Sequence, residues 1–308
     1  SKGVYLLMQK TSKAPAAHSG NKHPLEGIMH IVFLVAACFS IFAVVLICLF
    51  LFANGIPAMG EIGILKFLTG TMWRPGNDIY GILPMILGSI YVTAGALIIG
   101  VPIGLLTAVF LARFCPKGAY RFIKPAVSLM AGIPSVVYGF FGMCILVPII
   151  RPIAEKYDGS GFSMLTASIL LGIMILPTIV EVTESSLRAV PESYYEASLA
   201  LGATHERSVY AVLFPAAKSG IMAGVILGIG RAVGETMAVI MIAGNQPRIP
   251  DSIFEGVRTM TANIVIEMGY ASGLHREALI ATGVVLFVFI LILNVCFSLL
   301  KRRSEKQG

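Results

Sequence analysis

Charged residues are scarce in this sequence. Only 13% of its 308 residues are Asp, Glu, Lys or Arg, whereas soluble domains carry about a quarter. With 56% hydrophobic residues and a mean hydropathy of +0.85, this scarcity excludes an ordinary soluble domain and indicates a membrane protein. The net charge of +7 does not indicate nucleic-acid binding, because the Lys and Arg residues flank apolar segments, where they orient membrane proteins.

The motifs of several enzyme classes are also missing. No GxxxxGK[ST] sequence occurs, so the chain is not expected to hydrolyse ATP. No HExxH or other metal-ligand spacing occurs, and the five histidines are scattered, which predicts no metal and no cofactor in this chain. The serines in apolar segments lack a His/Asp set, and none of the five cysteines forms a CxxC pair; we expect the cysteines to be small buried hydrophobic residues.

Long apolar runs predict an all-α integral membrane protein with six transmembrane helices. About 20 apolar residues span a bilayer core, and the predicted spans are residues 28–53, 82–112, 123–150, 164–180, 220–243 and 278–300. The first run lacks a cleavage signal, so it is interpreted as a retained helix. Prolines in the second and third spans predict that these helices are tilted, kinked or broken.

The distribution of Lys and Arg predicts that both termini are cytoplasmic. With the N-terminus inside, 14 of the 23 Lys and Arg residues lie in the tail 1–27, the loops 113–122 and 181–219, and the tail 301–308. Seven lie in the outer loops 54–81, 151–163 and 244–277. The alternative, with the N-terminus outside, would put the basic "KRRSEK" tail outside.

The inner loop 181–219 has signals for two short helices. Pro191 suits the first turn of one helix, and Gly202 suits its C-terminal cap. Thr204 is a predicted N-cap for a second helix that ends before Pro215. Three interpretations are an amphipathic connector, a DNA-binding helix-turn-helix and a docking element for a cytoplasmic partner. The net charge of the loop is −2, which disfavours DNA.

The sequence "EASLALGATHERSVYAVLFP" in this loop resembles the EAA loop of ABC importer permeases. The resemblance rests on Glu196-Ala197, Gly202, Val212 and Pro215, with Ser198 in place of the second Ala. In that family the loop fits a groove on the ATP-binding subunit. The resemblance therefore implies that Glu196, Ala197 and Gly202 couple the chain to an ATPase, and it disfavours a secondary transporter or channel working alone.

Further stretches resemble the PstC-type phosphate permeases, over about residues 73–300. They are "YGILPMILGSIYVT", "AGIPSVVYGFFG", "GRAVGETMA" and "RTMTANIVIEMGYASG". The resemblance implies a type I ABC importer permease fold, with an ABC core at 82–300. It also implies a PstA-like second permease, two PstB-like subunits that bind ATP and Mg, and an extracytoplasmic PstS-like phosphate-binding protein. An importer of another oxyanion, molybdate or sulfate, is the alternative.

Arg231 and Glu235 are two charges within the fifth predicted span. If that span is one helix, they lie at i and i+4 and share a face, and the arginine lies near the bilayer centre, where it costs at least ~2.5–3.5 kcal/mol. One interpretation is an ion pair that clamps helices together. The other is a pathway in which Arg231 binds phosphate oxygens and Glu235 orients it. Gly228, Gly230 and Gly234 are expected to allow close helix packing.

The outer loop 244–277 contains both basic and acidic residues. It is either a solvated amphipathic helix or a surface that meets an external phosphate-binding protein. Arg258 opens one of the stretches that resemble PstC, so the resemblance places it with Arg231 and Glu235 among the candidate residues of the substrate pathway.

Overall fold

The computed structural model describes residues 24–305, with side chains described from 28 to 299. Most of the predicted tail 1–27 and the side chains of the tail 301–308 lie outside this range. The chain divides into two compact units, residues 1–50 and 51–308. The described part of the first unit is helical and carries exposed apolar side chains, including Phe33 and Phe39.

The described chain is almost entirely helical. Helix α1 is Pro24–Ile62 and α2 is Ile64–Thr69; a two-stranded antiparallel hairpin follows, formed by β1 (Trp73–Arg74) and β2 (Ile79–Tyr80). The next helices are α3 (Leu83–Val109), α4 (Lys117–Gly132), α5 (Ser135–Phe141), α6 (Val147–Ala154) and α7 (Met164–Ala189). The last are α8 (Glu192–Ala200), α9 (His205–Ser208), α10 (Phe214–Ala216), α11 (Lys218–Gly234), α12 (Met237–Ile242), α13 (Met260–Met268) and α14 (Gly273–Glu305).

Five helices are long and apolar enough to cross a membrane. They are Ile28–Ile62, Leu83–Phe114, Ser135–Tyr157, Met164–Ala189 and Gly273–Leu299. A sixth span is obtained if the pair His205–Ala216 and Lys218–Gly234, bent by 71°, is one span. An all-α membrane architecture with up to six spans is therefore confirmed for the part of the chain that the structure describes.

Two of the predicted spans differ from the observed helices. The third predicted span, 123–150, is broken, as its prolines predict: α4 ends at Gly132, and the spanning helix begins only at Ser135. Between them Ile133 is extended, and the Tyr138 hydroxyl donates to the Met130 carbonyl (2.9 Å) across this break. The prediction of a continuous helix over 220–243 is wrong, because α11 ends at Gly234 and α12 begins at Met237.

Helices α3, α7 and α11 form the centre of the larger unit. Side chains of α7, including Ile175 and Ile179, are fully buried there. A Cβ on Gly100 would lie 2.8 Å from Ile175, and one on Gly228 would lie 2.9 Å from Ile179. The glycines therefore let α3 and α11 approach α7 closely, which confirms the packing role predicted for Gly228.

The two ends of α3 mark the two ends of the larger unit. The hairpin end contains β1, β2 and α13, where Met260 N donates to Ser89 Oγ (2.9 Å) near the start of α3. The opposite end carries residues 190–217, which we call the knob. Helix α7 extends to Ala189, so the first nine residues of the predicted loop 181–219 belong to a long helix.

The cysteines are free, and none is buried within this chain, contrary to expectation.

Candidate functional site

The helix break at Glu235–Thr236 is the local feature that places the predicted pathway residues. Glu235 is extended (φ −71°, ψ 132°), and its carboxylate Oε1 accepts hydrogen bonds from Thr236 N (3.1 Å) and Ala238 N (3.2 Å). A side chain that bonds the backbone in this way competes with helical hydrogen bonding. The chain therefore leaves α11 at Gly234 and starts α12 with the Glu235 carboxylate at its first N–H groups.

Arg231 lies in the last turn of α11, and its side chain is half-buried. The predicted i, i+4 geometry with Glu235 is wrong because the helix ends between the two residues. Within residues 28–299, the only side chains described, no ion pair or hydrogen bond to the Arg231 guanidinium is found. The guanidinium is therefore left available for a group from outside this chain.

The helix ends explain how two charges are tolerated in an apolar segment. The C-terminal end of a helix carries partial negative charge and the N-terminal end partial positive charge, which stabilise a cation and an anion respectively. Arg231 lies at the end of α11, and Glu235 lies at the start of α12. Each charge is thus matched to the helix end beside it, without a direct bond between the two side chains.

Two of the three glycines around Arg231 face open space. A Cβ built on Gly230 or Gly234 would meet nothing within 4 Å in this chain, unlike the Cβ on Gly228. Both are exposed and lie four residues apart, on one face of α11. These two glycines therefore do not pack against another helix of the described chain, contrary to the prediction. The helix surface beside Arg231 is open.

Arg258 is placed in a buried network at the hairpin end. Its Nε donates to the Asn245 carbonyl (2.9 Å), and its Nη1 donates to Asn263 Oδ1 (3.1 Å) and Glu267 Oε1 (2.6 Å). The side chains of Arg258 and Glu267 are only 13% and 7% exposed. The structure therefore separates Arg258 from Arg231: one guanidinium is bonded within the chain, and the other is not.

Glu267 is the centre of this network, and sequence reasoning did not select it. Its Oε2 accepts a hydrogen bond from Trp73 Nε1 (2.8 Å) and lies 2.8 Å from His275 Nε2. The available signal was an acid inside the apolar run "TANIVIEM", since an unpaired carboxylate is costly there.

The knob has the geometry that its sequence predicts. Gly202 has a positive φ of 84° and follows α8, and the Thr204 hydroxyl accepts a hydrogen bond from Arg207 N (3.3 Å) as the N-cap of α9. The helical segment that starts with α9 continues into α10 and ends at Ala216, two residues beyond the end predicted before Pro215. At this N-terminus the pKa of Glu206 is lowered by hydrogen bonds to its own N–H and the Thr204 hydroxyl.

The residues of the EAA-like sequence lie together on the surface of the knob. Glu196, Ala197 and Gly202 are exposed, and Ala197, Gly202 and Val212 line one open groove of about 650 Å³. Ser198, which departs from the family pattern, is buried and lies 2.8 Å from the Ser208 hydroxyl. The departure therefore adds a hydrogen bond between α8 and α9, and Ser198 also lines part of the groove.

A buried carboxylate joins the knob end of α7 to α4. Glu184 is 2% exposed and accepts hydrogen bonds from the Tyr120 hydroxyl (2.7 Å), Lys124 Nζ (2.8 Å) and Arg188 Nε (2.9 Å). Separately, Arg113 bonds Glu192 Oε2 (2.9 Å) at the start of α8. The Glu184 contacts thus join α7 to α4, and the Arg113–Glu192 contact joins the knob to the chain that follows α3.

Comparison with protein families defines the class of protein. Residues 100–306 match the family described as "Binding-protein-dependent transport system inner membrane component". The match covers more than half of the chain, and the chain therefore belongs to this family of transport subunits.

Two curated relatives show which kind of permease the chain resembles. The chain is 38% identical over 273 residues to a "Probable ABC transporter permease protein YqgH" of Bacillus subtilis (strain 168), covering 85% of this chain and 88% of that protein. It is 34% identical over 302 residues to the "Phosphate transport system permease protein PstC" of Mesorhizobium japonicum, covering 92% of each. The resemblance to PstC-type permeases is confirmed.

Solved structures support the same fold. A bacterial alginate ABC transporter in complex with an alginate-bound periplasmic protein matches with a TM-score of 0.63 at 14% identity, covering 92% of this chain and 98% of that chain. The MetNI methionine ABC transporter in an inward-facing conformation matches with a TM-score of 0.52 at 20% identity, covering 76% and 99%. The fold is that of type I ABC importer permeases.

Proposed function

We propose that this chain is a permease subunit of an ATP-driven importer of inorganic phosphate. A PstA-like permease completes the translocation pathway, two PstB-like subunits bind ATP and Mg and hydrolyse the ATP, and an extracytoplasmic PstS-like protein delivers phosphate. The similarity to PstC proteins over almost the whole chain supports the substrate, and the exposed EAA-like surface of the knob supports the ATPase partner.

The observation that carries the proposal is the Arg231 guanidinium, half-buried at a helix break. Its planar array of N–H donors matches phosphate oxygens, and such bonds are stronger than neutral hydrogen bonds. The Glu235 carboxylate lies at the same break and limits the net positive charge that phosphate meets. We therefore propose that Arg231 contacts phosphate in passage and that Glu235 moderates its attraction.

The geometry supports a different role for Arg258. Because Glu267, Asn263 and the Asn245 carbonyl engage two of its three nitrogens, we propose that Arg258 stabilises the hairpin end and does not bind phosphate. We further propose that the hairpin end faces the binding protein and that the knob faces the ATP-binding subunits.

The proposed orientation is that of a bacterial inner-membrane protein with both termini cytoplasmic. It follows from the excess of Lys and Arg at the knob end and the tails. A single cysteine at position 205, in a chain without the five native cysteines, should resist a membrane-impermeant thiol reagent in intact cells. Rapid labelling of that cysteine from outside would show that the orientation is the opposite one, with the knob outside.

The function is tested by transport in vesicles. The chain is purified with its permease and ATP-binding partners and reconstituted with ATP inside and the phosphate-binding protein outside. We expect uptake of labelled phosphate that requires internal ATP and survives excess sulfate or molybdate. Uptake of sulfate or molybdate in place of phosphate would identify the other oxyanion importer, and uptake by this chain alone without ATP would identify a secondary transporter.

A further inference from the structure

Helix α13, at the hairpin end, connects the network around Glu267 to the helix break that carries Glu235. At its C-terminal end, Glu267 is held by Trp73, Arg258 and His275. At its N-terminal end, Met260 N donates to Ser89 Oγ on α3 (2.9 Å). Nine residues of helix span about 13 Å, so α13 is a short rigid link fixed at both ends.

The first turn of α13 contacts the break directly. The Thr261 hydroxyl donates to the Glu235 carbonyl oxygen (3.2 Å), although the two residues are 26 positions apart. The Thr261 side chain is in turn held by the Thr259 hydroxyl at 3.0 Å, and Thr259 caps α13 by accepting from Ala262 N (3.2 Å). Thr259 and Thr261 are 5% and 8% exposed, so water does not replace these bonds readily.

Packing leaves this turn little freedom to move. A Cβ on Gly88 of α3 would lie only 2.5 Å from the Arg258 carbonyl oxygen, so the backbone just before α13 is pressed against α3. Met260 is fully buried, and Val257 beside it is also fully buried. A hydroxyl carried on so fixed a turn has a defined position, and it defines the position of the carbonyl that it bonds.

We propose that Thr261 is a positioning residue for the phosphate pathway: its hydroxyl holds the Glu235 backbone at the break, and through it the Glu235 carboxylate. The inference rests on the proposed pathway at Arg231 and Glu235. It makes α13 the connection by which the network at the hairpin end and the pathway influence each other. Without the hydroxyl the break loosens, and Glu235 no longer has one orientation.

The test uses the assembled transporter and three variants of this chain. Thr261→Val removes the hydroxyl with little change of shape, and Thr261→Ser restores it. Thr282→Val is the matched control, because Thr282 is also buried, but among the described residues its hydroxyl bonds only the Ala278 carbonyl of its own helix (2.9 Å). If Thr261→Val does not assemble, Thr261→Ala replaces it under the same criteria.

The primary measurement does not depend on the substrate. A cysteine at position 234, where a Cβ meets nothing within 4 Å, is placed in the chain without native cysteines and labelled with a small thiol reagent. We expect several-fold faster labelling in Thr261→Val and wild-type labelling in Thr261→Ser and Thr282→Val. Unchanged labelling in Thr261→Val, or equally fast labelling in Thr282→Val, overturns the proposal.

Phosphate uptake gives the second measurement. Loss of one hydrogen bond corresponds to about a fivefold to tenfold effect, so Thr261→Val should lower the maximal uptake rate by that factor. The half-saturating phosphate concentration should not change, because the external binding protein captures phosphate. A wild-type complex that does not import phosphate refutes the proposed function alone, and the labelling result still decides the role of Thr261.

Discussion

Arg231 and Arg258 both lie in apolar surroundings, yet the structure uses them differently. Arg258 donates three hydrogen bonds within the chain and pairs with Glu267 at 2.6 Å. Arg231 lies in the last turn of α11, and no ion pair or hydrogen bond to its guanidinium is found among the side chains that the structure describes, from 28 to 299. A charge that is bonded internally stabilises the fold, whereas a charge without a partner is available to a ligand.

The same distinction separates two acids near the knob. Glu184 is buried and bonded by Tyr120, Lys124 and Arg188, whereas Glu196 is exposed on the surface of the knob. Burying a carboxylate is costly unless it is fully bonded, so Glu184 serves the structure. Glu196 carries no such cost and remains available to another subunit.

The largest effect is expected for Arg231→Gln. Hydrogen bonds to charged groups contribute about 1.5–3 kcal/mol, so losing the guanidinium should lower phosphate uptake by about a hundredfold. The unfolding temperature of the purified complex should change little, because Arg231 makes no ion pair or hydrogen bond among the described side chains and loses chiefly its attraction to the end of α11. Normal uptake would contradict the pathway assignment.

A double variant tests whether the two charges are needed for transport. Among the described side chains Arg231 and Glu235 form no ion pair, so Gln at both positions breaks no bond between them and should be tolerated if neither charge serves the pathway. We expect the double variant to assemble and to remain inactive. Recovery of uptake in the double variant would contradict the pathway assignment.

Arg258→Met should act on stability. Breaking a buried ion pair costs about 3–5 kcal/mol; we expect about 2 kcal/mol, because Trp73 and His275 still bond Glu267 and the site is partly exposed. The measurement is the unfolding temperature of the purified complex, with the exposed Arg276→Met as the control. If the Arg258→Met complex keeps its unfolding temperature but does not transport phosphate, Arg258 belongs to the substrate pathway.

Gly202→Val tests the turn of the knob. A non-glycine residue in the left-handed region costs about 1–2 kcal/mol, and a Cβ at Gly202 meets no other atom within 4 Å, so backbone strain is the only penalty. We expect about tenfold weaker co-purification of the ATP-binding subunits. Gly202→Asn, which tolerates a positive φ, should bind nearly as well as the wild type; equal binding by the Val variant would contradict the docking assignment.

The smallest effect is expected for Glu196→Gln. An exposed charge contributes about 0.2–1 kcal/mol, so association with the ATP-binding subunits should weaken about threefold at low salt, without a change in the unfolding temperature. Glu277→Gln is the control, because Glu277 is also exposed but lies away from the knob. It should have no effect on this association. A loss of stability would show that Glu196 belongs with Glu184 among the structural acids.

The sequence by itself predicted the features that depend on local chemistry. Runs of apolar residues specify spanning helices, and the glycine and threonine of the knob specify its turn and cap, because backbone conformation there depends on one or two neighbouring residues. The motifs at Glu196–Gly202 and Arg231–Glu235 also identified the family, which the match over residues 100–306 bears out.

The tertiary structure decided which charges are bonded and where the helices break. Glu267 meets Trp73, 194 positions away, and Thr261 meets Glu235, 26 positions away; no local pattern encodes either contact. The break at Glu235 likewise contains no proline, and it is held by the carboxylate that caps α12 and the hydroxyl from α13. Such contacts depend on how distant helices pack. The sequence therefore identified the charged residues, but it did not show that Arg258 is bonded within the described chain and that the Arg231 guanidinium is not.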